Sequence, residues 1–142
     1  RNENSATLSD NATRSDSRAP KASITKIEEL ETDPITPQFV LRVSPSLRPF
    51  IVNPKPGWSD IVRAADWIRT DLGISRHAWI EACATMGRIT AAAAVAVIAA
   101  KSEEIDSAGG YLRGMTQRAR EGTLHLSRSF YGLAERQQRT LT

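Results

Sequence analysis

Apolar and polar positions divide the chain near residue 26. Up to that point Ser, Thr, Asn, Asp and Arg dominate, and Leu8 is the only large aliphatic before Ile24. Such a stretch cannot bury enough surface to repay its ordering entropy. It is expected to be disordered, and residues 1 to 33 read as a linker. Apolar residues accumulate from Ile27, but Pro34, Pro37, Pro45, Pro49, Pro54 and Pro56 leave room only for short elements between them. Thr36-Pro37 suits an N-cap and first helical position ahead of Phe39-Val40-Leu41. The run from 38 to 43 is also β-branched and aromatic enough for a strand, and the cap signal favours the helix. Phe50-Ile51-Val52 reads as a short apolar anchor before the turn Asn53-Pro54-Lys55-Pro56-Gly57.

Beyond that turn the period is helical. Ser59 is expected to cap a helix through Leu72, with Ile61, Ala65, Ile68 and Leu72 in one stripe and Arg63, Asp66 and Arg69 outward. Gly73 at C′ predicts a Schellman-type stop, with Ile74 folding back on Ile68. Ser75 caps the next helix, residues 76 to 86, which places Trp79, Ala82, Cys83 and Met86 on one side and ends at Gly87. Trp58, Trp67 and Trp79 then lie in neighbouring helices. They are expected to form a core cluster, a reading that outweighs an aromatic cage or base-stacking surface.

Nearly every residue from 91 to 100 is alanine or valine, a composition of high helix propensity and thin surface. Thr90 is the expected N-cap. Val95, Ile98 and Ile105 fall at helical spacings, and Lys101, Glu103 and Glu104 mark the end that reaches water. A helix of this kind is built to be surrounded. Ser107 caps a further helix, residues 108 to 120, that buries Leu112, Met115 and Ala119 and shows Arg113, Gln117 and Arg120. After an extended link over residues 123 to 126, Ser127 caps a last helix seeded by Phe130, Tyr131 and Leu133. The expected fold is all-α, an orthogonal bundle of five to six short helices over residues 34 to 142, with no internal repeat.

The motif Ser107-Ala108-Gly109-Gly110-Tyr111 puts two glycines in the first turn of a helix, at roughly 1 kcal/mol each against alanine. The favoured explanation is close packing of that turn on the alanine surface. The alternative is a phosphate site at the helix N-terminus, assisted by Arg113 and Arg88. A phosphate loop would normally follow a strand and carry a longer glycine pattern.

Charge is unevenly spread. Residues 1 to 33 carry five basic and seven acidic side chains, residues 34 to 106 eight and seven, and residues 107 to 142 six and two. The C-terminal excess is all arginine: Arg113, Arg118, Arg120, Arg128, Arg136 and Arg139. Of these, Arg113, Arg118, Arg120 and Arg128 are the candidate DNA or phosphate contacts, weighed against a merely solvated face. A helix-turn-helix reader with residues 76 to 87 as recognition helix is disfavoured, because after Arg76 and His77 it offers only Glu81 and Thr85 to bases.

Enzyme chemistry finds no footing. Cys83 is the single cysteine and lies among alanines, where a small buried hydrophobe is the expected role. His77 and His125 are the only histidines, and neither has metal-ligand spacing. No metal or cofactor is expected. No apolar run has transmembrane length and bulk, so the chain is expected to be soluble and cytoplasmic. Its first residue is arginine, which reads as a fragment or processed product.

The order of these signals resembles a known family. Leu72-Gly73-Ile74-Ser75, then Trp79-Ile80-Glu81-Ala82-Cys83-Ala84-Thr85-Met86-Gly87, the alanine/valine helix, Ile105-Asp106-Ser107-Ala108-Gly109-Gly110-Tyr111-Leu112-Arg113 and Arg120-Glu121-Gly122 resemble the C-terminal region of RepC, the replication initiator family of repABC-type plasmids. The likeness covers residues 58 to 133. It implies an initiator whose N-terminal winged-helix module recognises the plasmid origin, joined by a linker to this helical domain, with host replication proteins as further partners. It carries over no catalytic residue.

Overall fold

A computed structural model of the chain describes residues 35 to 141, and the expected linker over residues 1 to 33 lies outside them. Helix α1 (Pro37–Val43) begins where Thr36 supplies a cap: its Oγ1 accepts from the Phe39 N–H at 3.1 Å, and Pro37 takes the first helical position. A 3₁₀ turn (Pro45–Phe50) follows, then α2 (Trp58–Leu72), α3 (Arg76–Met86), α4 (Arg88–Ala100), a short 3₁₀ turn (Ser102–Glu104), α5 (Ala108–Glu121) and α6 (Leu126–Leu141). The described residues thus hold six α-helices and no strand, the all-α bundle expected.

The alanine-rich helix is the centre of the bundle. Every residue of α4 from 91 to 99 is buried, on all sides of the helix. α1, α2, α3, α5, α6 and the first 3₁₀ turn all pack on it. Small side chains let so many neighbours approach one axis. Ser44 secures one of these contacts, since its fully buried hydroxyl donates to the Ala96 carbonyl at 2.8 Å and so is not left unpaired.

The α2–α3 corner forms as its sequence predicts. Gly73 adopts φ +83°, a left-handed conformation that costs glycine no Cβ clash. The Gly73 N–H donates to the Thr70 carbonyl and the Ile74 N–H to the Arg69 carbonyl, the two bonds of a Schellman stop. Ser75 Oγ then accepts from the Ala78 N–H at 3.0 Å. Arg69 does not face out as expected. Its side chain is 13% exposed, its Nε donates to Asp66 Oδ1 at 2.8 Å and its Nη1 to the Ile74 carbonyl, so it straps the corner from outside.

Several expected details shift. Ser59 does not cap α2. Gly57 is the N-cap, and Asp60 reaches back to accept the Gly57 N–H at 2.9 Å, a carboxylate being the stronger acceptor near a helix N-terminus. α4 starts at Arg88 after Gly87 and not at Thr90, because Gly87 at φ +88° lets the chain turn directly from α3 into α4. Ser127 lies buried inside α6, which begins one residue earlier. Ile105 falls outside α4, and Val52 is 95% exposed and anchors nothing. The tryptophan cluster does not form. Trp79 is buried, Trp58 is half-buried and Trp67 is 62% exposed. Cys83 is half-buried, and burial pushes its thiol above the usual range, in keeping with an inert packing role.

Gly109 and Gly110 have a different neighbour from the one expected. α5 packs chiefly on α3 and less on α4. A Cβ at Gly109 would meet the Gly73 carbonyl at 3.8 Å and Arg113 Nη1 at 3.7 Å, so this turn faces the α2–α3 corner. A Cβ at Gly110 would lie 3.0 Å from Ser107 Oγ, the same atom that accepts the Gly110 N–H. The second glycine leaves room for the cap itself. Tyr111 ties α5 to the end of α4: its hydroxyl accepts from Lys101 Nζ at 3.0 Å, and the ammonium also lies 5.3 Å from the ring centroid.

Candidate nucleic-acid interface

The four candidate arginines rest on two helices. On α5 the spacing from Arg113 to Gln117 to Arg120 keeps these three on one exposed face. α3, packed beside it, presents Glu81 to the same region. Arg120 Nη2 donates to Glu81 Oε2 at 2.6 Å and its Nη1 to Gln117 Oε1 at 3.3 Å, and Gln117 Nε2 donates to Glu121 Oε2 at 2.9 Å. The Arg120 hydrogen bond holds the Glu81 carboxyl below the usual carboxylate range, with smaller contributions from the charges of Arg120, His77 and Arg113. Arg113 is therefore within electrostatic reach of the same carboxylate.

Arg118 points elsewhere. Its guanidinium lies along Gly114, 3.8 Å from where a Cβ there would stand, on a side of α5 well away from Arg113. Arg128, on α6, lines an open groove of about 550 Å³ with Tyr131, Gly132, Ala134, Glu135 and Gln138. On the same helix Arg136 donates to Glu104, and Arg139 pairs with Glu135 at 3.9 Å. The structure brings Arg113 and Arg120 together and leaves Arg118 and Arg128 apart from them.

Folding also changes the charge that the C-terminal stretch presents. Glu81 and Glu104 lie 39 and 32 residues from the arginines they meet. Both carboxyls are held below their usual range by those arginines, Glu104 chiefly through the Arg136 hydrogen bond. A depressed folded-state pKa means a stabilising contribution that is present at neutral pH and is lost as pH falls through the folded-state value. The melting temperature should therefore drop as the pH is taken below about 4, near the unfolded carboxylate range. In Glu81→Gln that drop should be smaller. An identical acid profile in the variant would show that the Arg120 contact adds nothing in solution.

No described helix is long and apolar enough to cross a membrane. Among the described residues no group of three or more His, Cys, Asp or Glu side chains is placed to hold a metal ion.

Residues 36 to 136 match the family model described as the replication protein C C-terminal region. The chain belongs to this family. The match begins at the cap of α1, upstream of residue 58, where the resemblance in the sequence starts. A Rhizobium rhizogenes protein described as "Putative replication protein C" is 44% identical over 69 residues, covering 49% of this chain and 17% of the relative. One of the same description from Sinorhizobium fredii (strain NBRC 101917 / NGR234) is 38% identical over 89 residues, covering 59% of this chain and 21% of the relative. The chain thus spans about a fifth of the length of these relatives. No solved structure matches it. Within this replication protein C C-terminal region, Ser107 and Gly110 form a helix cap and Tyr111 an inter-helix tie, while Gly109 faces the α2–α3 corner.

Proposed function

We propose that this helical domain is a non-enzymatic accessory part of a cytoplasmic plasmid replication initiation protein. It works through protein contacts, with host replication proteins as partners, and adds only auxiliary, sequence-independent contact to DNA near the origin. Origin recognition itself belongs to another part of the initiator. The observation that carries this reading is that Arg120 and Arg136 each donate to a carboxylate and Arg139 stands near a third, at 3.9 Å from Glu135, which lowers the net positive charge that the C-terminal stretch can offer a phosphate. Arg113, Arg118 and Arg128 remain exposed on different faces, an arrangement suited to weak phosphate contact and not to base reading. Half-exposed Ile80 and Ile89, each 49% accessible, support a role in protein contact.

Titrating the 142-residue chain with duplex origin DNA across salt concentrations tests the reading. Binding should be weak, at a Kd of about 10⁻⁴ to 10⁻⁶ M, equal for unrelated duplexes and steeply weakened by salt. Arg113→Glu, Arg118→Glu and Arg128→Glu together should abolish it with helicity unchanged. Tight, sequence-selective binding would make the domain an autonomous reader, and unchanged binding in the triple reversal would make the arginines a solvated face.

A further inference from the structure

A cleft of about 190 Å³ opens between α2 and the α3–α4 junction, lined by Ser59, Val62, Arg63 and Asp66 from α2, Trp79 from α3 and Arg88 from α4. It lies on the other side of α3 from the arginine cluster, since Glu81 stands two residues from Trp79 and helical periodicity sends the two in nearly opposite directions. The cleft is smaller than the roughly 300 Å³ at which pockets begin to enclose whole small molecules. It can take one group of a larger ligand.

Its chemistry selects an anion. Arg63 and Arg88 supply two exposed guanidiniums and Ser59 a hydroxyl, while buried Trp79 gives the floor. The one carboxylate in the lining, Asp66, already accepts from Arg69 Nε at 2.8 Å. Arg63 has only a distant contact with Asp60, at 3.8 Å and 68% exposed, and among the described residues no ion pair engages Arg88. Planar guanidiniums of this kind match phosphate oxygens. Trp67 stands one helical turn beyond Arg63 on α2 and is 62% exposed, which leaves much of the indole open to solvent. A phosphate site beside an exposed indole is the pairing used to hold unpaired nucleic acid, in which the backbone is gripped by charge and a base stacks on the ring.

The geometry points to a single-stranded DNA subsite, in which Arg63, Arg88 and Ser59 hold one backbone phosphate over Trp79 and Trp67 stacks an adjoining base. A duplex keeps its bases inside the stack and offers Trp67 nothing. The site is separate from the C-terminal arginines, so it stands or falls independently of the duplex contact proposed for them.

The test is fluorescence titration of the full chain with oligo(dT) and with a duplex of equal length. The oligonucleotide should bind more tightly than the duplex and quench tryptophan emission. Trp67→Ala should lose that quenching and bind about tenfold less. Arg63→Glu with Arg88→Glu should weaken oligo(dT) at least as much, and Arg63→Gln with Arg88→Gln, which introduces no new charge, should flatten the log–log salt slope by about 0.7, the value for one lost single-strand phosphate contact. The Arg113, Arg118 and Arg128 reversal should leave oligo(dT) binding within twofold. Circular dichroism confirms folding of each variant. Equal affinity for duplex and single strand, or oligo(dT) binding unaffected in folded Arg63/Arg88 variants, overturns the subsite.

Discussion

Ala94→Glu is expected to unfold the helical domain. Ala94 is fully buried, at the middle of a helix whose residues 91 to 99 are all buried and which is enclosed by five other helices and a 3₁₀ turn. A glutamate there has no solvent side to reach, and α4 carries no basic residue between Arg88 and Lys101. An unpaired buried carboxylate costs several kcal/mol, a large share of the roughly 5 to 15 kcal/mol that holds a domain folded. Far-UV circular dichroism at neutral pH should show a loss of most helical signal. Ala94→Leu serves as a size control, and should cost about 1 to 3 kcal/mol by overpacking while leaving a cooperative melt. A glutamate variant that melted within a few degrees of the parent would mean that α4 has an open face.

That helix was the most legible part of the chain, because a run of alanine and valine has few other uses than to be surrounded. The local stops were legible too, since Gly73, Ser75 and Ser107 announce caps whose chemistry is complete within a few residues. Errors cluster where a nonlocal partner decides. Gly110 is explained by its own cap, Gly109 faces the α2–α3 corner at ordinary contact distance, and nothing in the order of residues says that α5 prefers α3 over α4. The charge around the candidate site depends on nonlocal partners too. A count of arginines from 107 onward gives a basic tail, but Glu81 and Glu104 come from earlier in the chain to neutralise part of it. Trp67 was lost to a rule of thumb about tryptophans, although its neighbours Asp66 and Arg69 on α2 are polar. Arg63 and Arg88, 25 residues apart and on different helices, gave no signal of a shared cleft.

Phe130→Ala should be the most damaging truncation on α6. Phe130 is fully buried and its ring centroid lies 6.1 Å from that of Phe39, at a tilted angle. Phe39 in turn stands 5.6 Å from the Tyr131 ring and has the Arg42 guanidinium 4.9 Å from its own centroid. These rings join α6 to α1, and the bond from Gln137 Nε2 to the Val43 carbonyl, at 2.7 Å, extends the same junction. Removing a buried phenylalanine ring costs about 3 to 5 kcal/mol through lost transfer energy and an unfilled cavity. For a domain of this size that is a fall in melting temperature on the order of 15 °C. Arg136→Ala offers the contrast, since both partners of its ion pair with Glu104 are 51% exposed, and solvent screening should hold its effect close to zero. Thermal melts of the two variants measure the difference directly. A Phe130→Ala melt within about 3 °C of the parent would show that α6 is only loosely attached to α1.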